Sequence, residues 1–209
     1  MSYGPSDDAA DEFYESIARE LYPEHKAQAI GEFTAERLRS FYVSNPHVMR
    51  PAVDALQEGR RLIASGHHAA AVVFFGTSIE LLLKATLLKP IVHGLVLSPA
   101  LAEMVADQAF GQTGFDRYTK LLSKLYREFA GLELNEVSRE EAKVGLMSEC
   151  TALQGIRNKI IHQGASATAD QAEMGRAIAV AVYEHIVDPV LGAIGLVVRE
   201  RGVIEPRKL

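Results

Sequence analysis

Toward the C-terminal third of the chain, Arg157-Asn158-Lys159-Ile160-Ile161-His162 brings a guanidinium, an amide, an ammonium and an imidazole into one short run. Arg is the side chain best shaped to clamp a phosphate in two-pronged fashion, and His is the one whose charge changes near neutral pH. Together they suit phosphoryl chemistry that needs no metal. On a helix, Asn158 and His162 lie four apart and share a face, with Arg157 beside Asn158. The three can then border one cleft while Ile156, Ile160 and Ile161 bury the remaining surface.

The same short-range order of Arg and His occurs twice more, as Arg19 with His25 and as Arg60 or Arg61 with His67 or His68. Pro23 falls inside the first pair and Ser65-Gly66 inside the second, whereas nothing between Arg157 and His162 breaks a helix. The plainer alternative for the third run is structural. Arg157 would bridge a surface acid, Asn158 would be solvated, and His162 would be one of the cations that sit well at helix C-termini.

The elements that must position this run read as helices throughout. Phe13, Ile17 and Leu21 recur every four residues until Pro23, and a second helix runs from about 24 to 42 with Leu38 and Phe41 on its apolar side. Residues 1–45 therefore form an N-terminal helical extension to a main domain over 46–209. In that domain a helix from Val48 closes at Ser65-Gly66. The next, from His67 to Leu88, is apolar almost all round, as a central helix would be, and Pro90 is expected to end it. Residues 91–114, with Gly94, Pro99, Gly111 and Gly114, read as a less regular insertion.

From Phe115 to Phe129 an apolar stripe backs a basic one of Arg117, Lys120, Lys124 and Arg127. Such a face is ordinarily solvated, and it becomes an RNA track only if it borders the cleft. Ser138-Arg139-Glu140-Glu141 resembles a capping box, so the helix of the Arg157 run is expected to begin there, with Val144 on its apolar period and His162 in its last turn near Gly164. A last helix from about Asp170 carries Ile178, Val182, Ile186, Val190, Ile194 and Val198, with a kink or break at Asp188-Pro189. No convincing strand pair is visible. The fold class is all-α, an up-and-down helical bundle.

Composition bounds the function. A formal net charge of -5 over 209 residues argues against a protein that coats nucleic acid with its whole surface, and leaves room for a local basic site. The single Cys150 has no disulfide partner and no second thiol for a zinc cluster, so it reads as a buried small hydrophobe. His67-His68 lacks an acidic or Cys partner at ligand spacing, so no metal site and no cofactor are expected. The acidic start and the absence of a bilayer-length uninterrupted apolar run point to a cytoplasmic protein with no membrane partner. Glu80 sits in a nearly all-apolar helix, where it must reach a partner or the surface: Arg157 is one option and Lys84, four residues on, is the other.

The Arg-Asn opening and closing His of the run at Arg157 to His162, together with the earlier helix Ala69 to Lys84, resemble the signature of the HEPN superfamily. The resemblance spans about residues 48 to 200 and leaves out residues 1–45 and 91–114. It implies a helical bundle of HEPN type that forms a homodimer through its motif-bearing helices. Many members are metal-independent endoribonucleases in toxin–antitoxin systems or phage defence; others are inert interaction modules. Residue by residue, the resemblance gives Arg157 and His162 catalytic roles, Asn158 a supporting role and Glu80 an orienting one. Beside it, the charge pattern itself offers Lys159, Lys120, Lys124 and Arg127 as RNA contacts, against the plainer reading that they are solvated. An RNA substrate and an antitoxin or regulatory protein are the partners the resemblance implies.

Overall fold

The computed structural model describes residues 32–95, 122–124, 126–127, 131, 133–140 and 142–208, with positions 16 and 28. The first N-terminal helix, most of the 91–114 insertion, and Arg117 and Lys120 of the basic stripe lie outside the described residues. Among those described, regular structure is helical apart from two three-residue strands, so the chain is all-α in class.

Residues 32–44 (α1) are helical, and Leu38 and Tyr42 bury themselves in the same core as the later helices. α2 (Arg50–Ala64) starts with Pro51 in its first turn, where the missing N–H costs nothing. It stops at Ser65, after which Gly66 takes φ 76 and its N–H returns to the Ile63 carbonyl. α3 (His68–Leu81) is the central helix, in contact with α2, α5 (Leu146–Gln163) and α6 (Ala169–Val182). Its one wholly buried polar side chain, Ser78, donates to the Ala52 carbonyl of α2 at 2.8 Å. Gly59 makes the α2–α3 approach close: a Cβ there would stand 2.5 Å from Cε1 of the buried Phe75 ring.

Pro90 does not end this helix. A π-helical stretch, Leu82–Leu88, leads straight into α4 (Lys89–Leu95), and Pro90 occupies the first turn of α4. Removing the N–H of residue 90 orphans the carbonyl of Thr86, four residues earlier, and the Tyr42 hydroxyl of α1 donates to that oxygen. The chain repeats the device. α6 runs into a second π-turn, Tyr183–Val187, then into α7 (Asp188–Ala193) with Pro189 in its first turn, and the Tyr126 hydroxyl donates to the His185 carbonyl. The two π-turns pack against each other. The helix made continuous in this way, His68–His93, is long and apolar enough by length and composition to cross a bilayer, but more than half of it is buried in the core.

Two further boundaries differ from the sequence expectation. α5 begins at Leu146, not at Ser138, because the Leu146 N–H is taken by the Val137 carbonyl and Arg139 reaches forward to clamp Glu149 with bonds of 2.9 and 2.5 Å. Val144, placed on the apolar period, is 54% exposed. The last helix stops at Ala193; Gly195 takes φ 71, and β1 (Leu196–Val198) pairs antiparallel with β2 (Ile204–Pro206). A spacing of four keeps residues on one face of a helix and equally on one face of a strand, so Ile194 and Val198 fit either period. β-branched Val197, Val198, Val203 and Ile204 favour the extended choice. The Ile204 N–H donates to the Pro46 carbonyl, tying this hairpin to the turn between α1 and α2.

Candidate functional site

α5 ends where expected. Gly164 adopts φ 65 and its N–H bonds to the Ile160 carbonyl, which closes the helix one residue beyond Gln163 and leaves His162 in the last turn. α6 then starts from a reciprocal capping box, with Thr168 accepting from the Gln171 N–H at 3.2 Å and Gln171 accepting from the Thr168 N–H at 3.0 Å.

Within α5, Arg157 turns inward against α3. Gly76 admits it, since a Cβ at that position would stand 2.8 Å from the Arg157 Cδ. Its Nε is buried without a hydrogen-bond partner, and it forms no ion pair with a described residue. The small cleft around it, of ≈ 10 Å³, is lined by Gly76, Ile79, Glu80, Gln154 and Arg157 among others, and is barely wide enough for one water. Gly76 and Gln154 were not singled out by the sequence reading. A glycine four residues before Glu80 in an otherwise apolar helix was the available signal for a close approach.

Glu80 borders the same cleft but pairs with Lys84 at 2.7 Å, and no bond joins it to Arg157. Of the two options open from the sequence, the structure takes the one along the helix, because four residues bring the two side chains over one another without crossing to α5.

Asn158, Lys159 and His162 are all exposed. Five residues of helix rotate His162 by about 140° from Arg157, whereas Asn158 and His162 differ by only about 40°. Asn158 and His162 thus share a face, and a single chain does not bring Arg157 to it. Ile161, expected to be buried, is 46% exposed, although it lies only about 40° round the helix from Arg157.

The basic stripe is also altered. Arg127 is held by Glu133 in a two-bond pair at 2.5 and 2.9 Å, which pulls the Glu133 carboxyl below its ordinary range; Lys124 is exposed. Cys150 is buried in the core, and burial, with the Glu149 charge second, pushes its thiol up to about 12. Among the described residues no group of three or more His, Cys, Asp or Glu is arranged to hold a metal ion.

No family model matches the sequence, and no curated protein and no solved structure matches the chain.

Proposed function

We propose that the chain is a metal-independent endoribonuclease of HEPN type, an up-and-down bundle whose site is completed by a second copy of α5. The observation that carries this reading is the state of Arg157. Its guanidinium is half-buried, its Nε has no hydrogen bond, and the neighbouring carboxylate, Glu80, is engaged by Lys84. A cation partly withdrawn from water, with no anion among the described residues paired to it, suits an incoming phosphate. Five residues further on, His162 is exposed and free to meet a substrate.

The chemistry explains the need for two copies. One imidazole removes the proton of the 2′-hydroxyl as that oxygen attacks phosphorus. A second protonates the departing 5′-oxygen, and the guanidiniums stabilise the charge on the phosphorane-like transition state. A two-fold axis supplies two His162 and two Arg157 side chains, and the exposed Ile161 in the same turn offers apolar surface for the pairing. Asn158 supports on the His162 face, and Lys159 and Lys124 are the remaining RNA contacts. The products are a 2′,3′-cyclic phosphate and a 5′-hydroxyl, and DNA is inert because it lacks the attacking group.

The turning apart of Arg157 and His162 within one chain favours a second reading, a non-catalytic HEPN-like module that dimerises or docks on a regulatory partner. RNA cleavage in excess EDTA separates the two. Cleavage that falls by about a hundredfold or more in His162→Ala and in Arg157→Ala is the expected result. EDTA-resistant cleavage left intact by His162→Ala would remove the catalytic reading, and harmless expression of the wild-type chain in cells would favour the module.

A further inference from the structure

Away from the Arg157 cleft, α2 and α3 border a groove of ≈ 870 Å³, within the range of ligand sites. Its walls carry Arg50, Arg61 and Arg201, the partly exposed ring of Phe74, and the carboxylates of Asp54 and Glu58. Glu58 holds Arg61 at 3.0 Å and Asp54 stands 4.0 Å from Arg50, whereas Arg201 forms no ion pair or hydrogen bond with a described residue. Three arginines against two carboxylates leave a positive excess in a chain whose net charge is -5.

Arg201 is also the one non-glycine among the described residues with positive φ, at φ 56 and ψ 25. The next residue, Gly202, is buried so tightly against α2 that a Cβ would stand 2.8 Å from Val53 Cγ2. The turn between β1 and β2 is thereby fixed on α2, and it holds an unfavourable backbone conformation that brings a guanidinium to the groove wall.

We propose that this groove is a subsite for single-stranded RNA, one or two nucleotides long. A base stacks on Phe74, its exocyclic amine donates to Asp54 or Glu58, and Arg201 with Arg50 neutralises the adjoining phosphate. The carboxylates select a nucleotide over a bare anion, since they repel phosphate but accept from base amines. Stacking on Phe74 selects unpaired over duplex RNA. The inference rests on the ribonuclease reading of α5 and adds to it the form of the substrate and a second point of contact.

The test uses the full chain carrying His162→Ala, which prevents turnover, with a short oligoribonucleotide containing photoactivatable 6-thioguanosine, whose base keeps an exocyclic amine. Photocrosslinks should map to the peptide containing Phe74. Phe74→Ala should weaken binding by about tenfold. Arg201→Gly should weaken it too and flatten the dependence of log affinity on log salt by about 0.7, while relief of the backbone leaves thermal stability equal or higher. A cleavable RNA that binds both variants as tightly as the parent overturns the subsite and leaves the α5 reading standing. Crosslinks in the groove from a wild-type chain that never cleaves RNA keep the subsite and remove the catalytic reading. RNA that does not bind at all overturns both.

Discussion

The hydroxyl of Tyr42 donates to the carbonyl of Thr86, the oxygen that Pro90 deprives of its helical donor. One tyrosine from α1 thus allows the central helix to continue through a proline, and Tyr126 does the same for His185 ahead of Pro189. Tyr42→Phe should therefore leave a buried acceptor unpaired and cost about 1–3 kcal/mol. Thermal denaturation should show a Tm lower by roughly 2–4 °C per kcal/mol for a chain of this size. Tyr126→Phe should cost less, because water can reach its partly buried partner. An unchanged Tm in Tyr42→Phe would refute this account of Pro90.

Stability should fall on the alkaline side. Complete burial holds the Tyr42 hydroxyl far above the ordinary tyrosine range, burial pushes Tyr126 up to about 12, and burial with the Glu149 charge pushes Cys150 up to about 12. In each case the unfolded chain loses its proton at a lower pH than the folded one, so the native state binds more protons and stability declines as pH rises. The contribution is whole below the ordinary values of 9.0 for Cys and 10.0 for Tyr and is lost as pH climbs through the folded values. Urea denaturation in steps above pH 9 should show that decline, with a shallower slope in Tyr42→Phe. A flat profile would contradict it.

Two glycines in helices should respond oppositely to alanine. At Gly59 the new methyl would meet the buried Phe75 ring at 2.5 Å, and the overpacking of about 1–3 kcal/mol outweighs a helix-propensity gain of at most about 1 kcal/mol. At Gly155, on the exposed side of α5, a Cβ meets nothing within 4 Å, so Gly155→Ala should stabilise by up to about 1 kcal/mol. Chemical denaturation of the two variants side by side reads the sign directly.

Gly76→Ala probes the site without touching its motif. The methyl would stand 2.8 Å from the Arg157 Cδ, and a flexible side chain can swing aside, so stability should change little or rise by up to about 1 kcal/mol. Displacing the guanidinium by an ångström should lower RNA cleavage by about tenfold to a hundredfold. Full activity in a folded Gly76→Ala protein would show that the seat of Arg157 on α3 is unimportant to catalysis.

Much of the fold was legible because its signals are local. The apolar positions of α2, the central place of α3, Ser65-Gly66 as a stop and Gly164 as the end of the Arg157 helix follow from periodicity and from glycine's access to positive φ. So did the position of His162 in a last turn. The errors fell where a distant group supplied what the local chain lacked. Arg139 found Glu149 instead of capping a helix at Ser138, Tyr42 rescued the carbonyl that should have ended a helix at Pro90, and the turn before α2 received the strand that replaced the tail of the last helix.

The same division runs through the candidate site. By itself the sequence determined that Arg157, Asn158 and His162 ride one unbroken helix, because nothing between them disfavours helical backbone. Only the tertiary structure decided which way they face: α3 receives Arg157 at Gly76, and with Arg157 turned inward Asn158 and His162 lie in solvent. Spacing along a helix is fixed by bond geometry, but the direction in which a side chain finds its partner depends on what another element has left open.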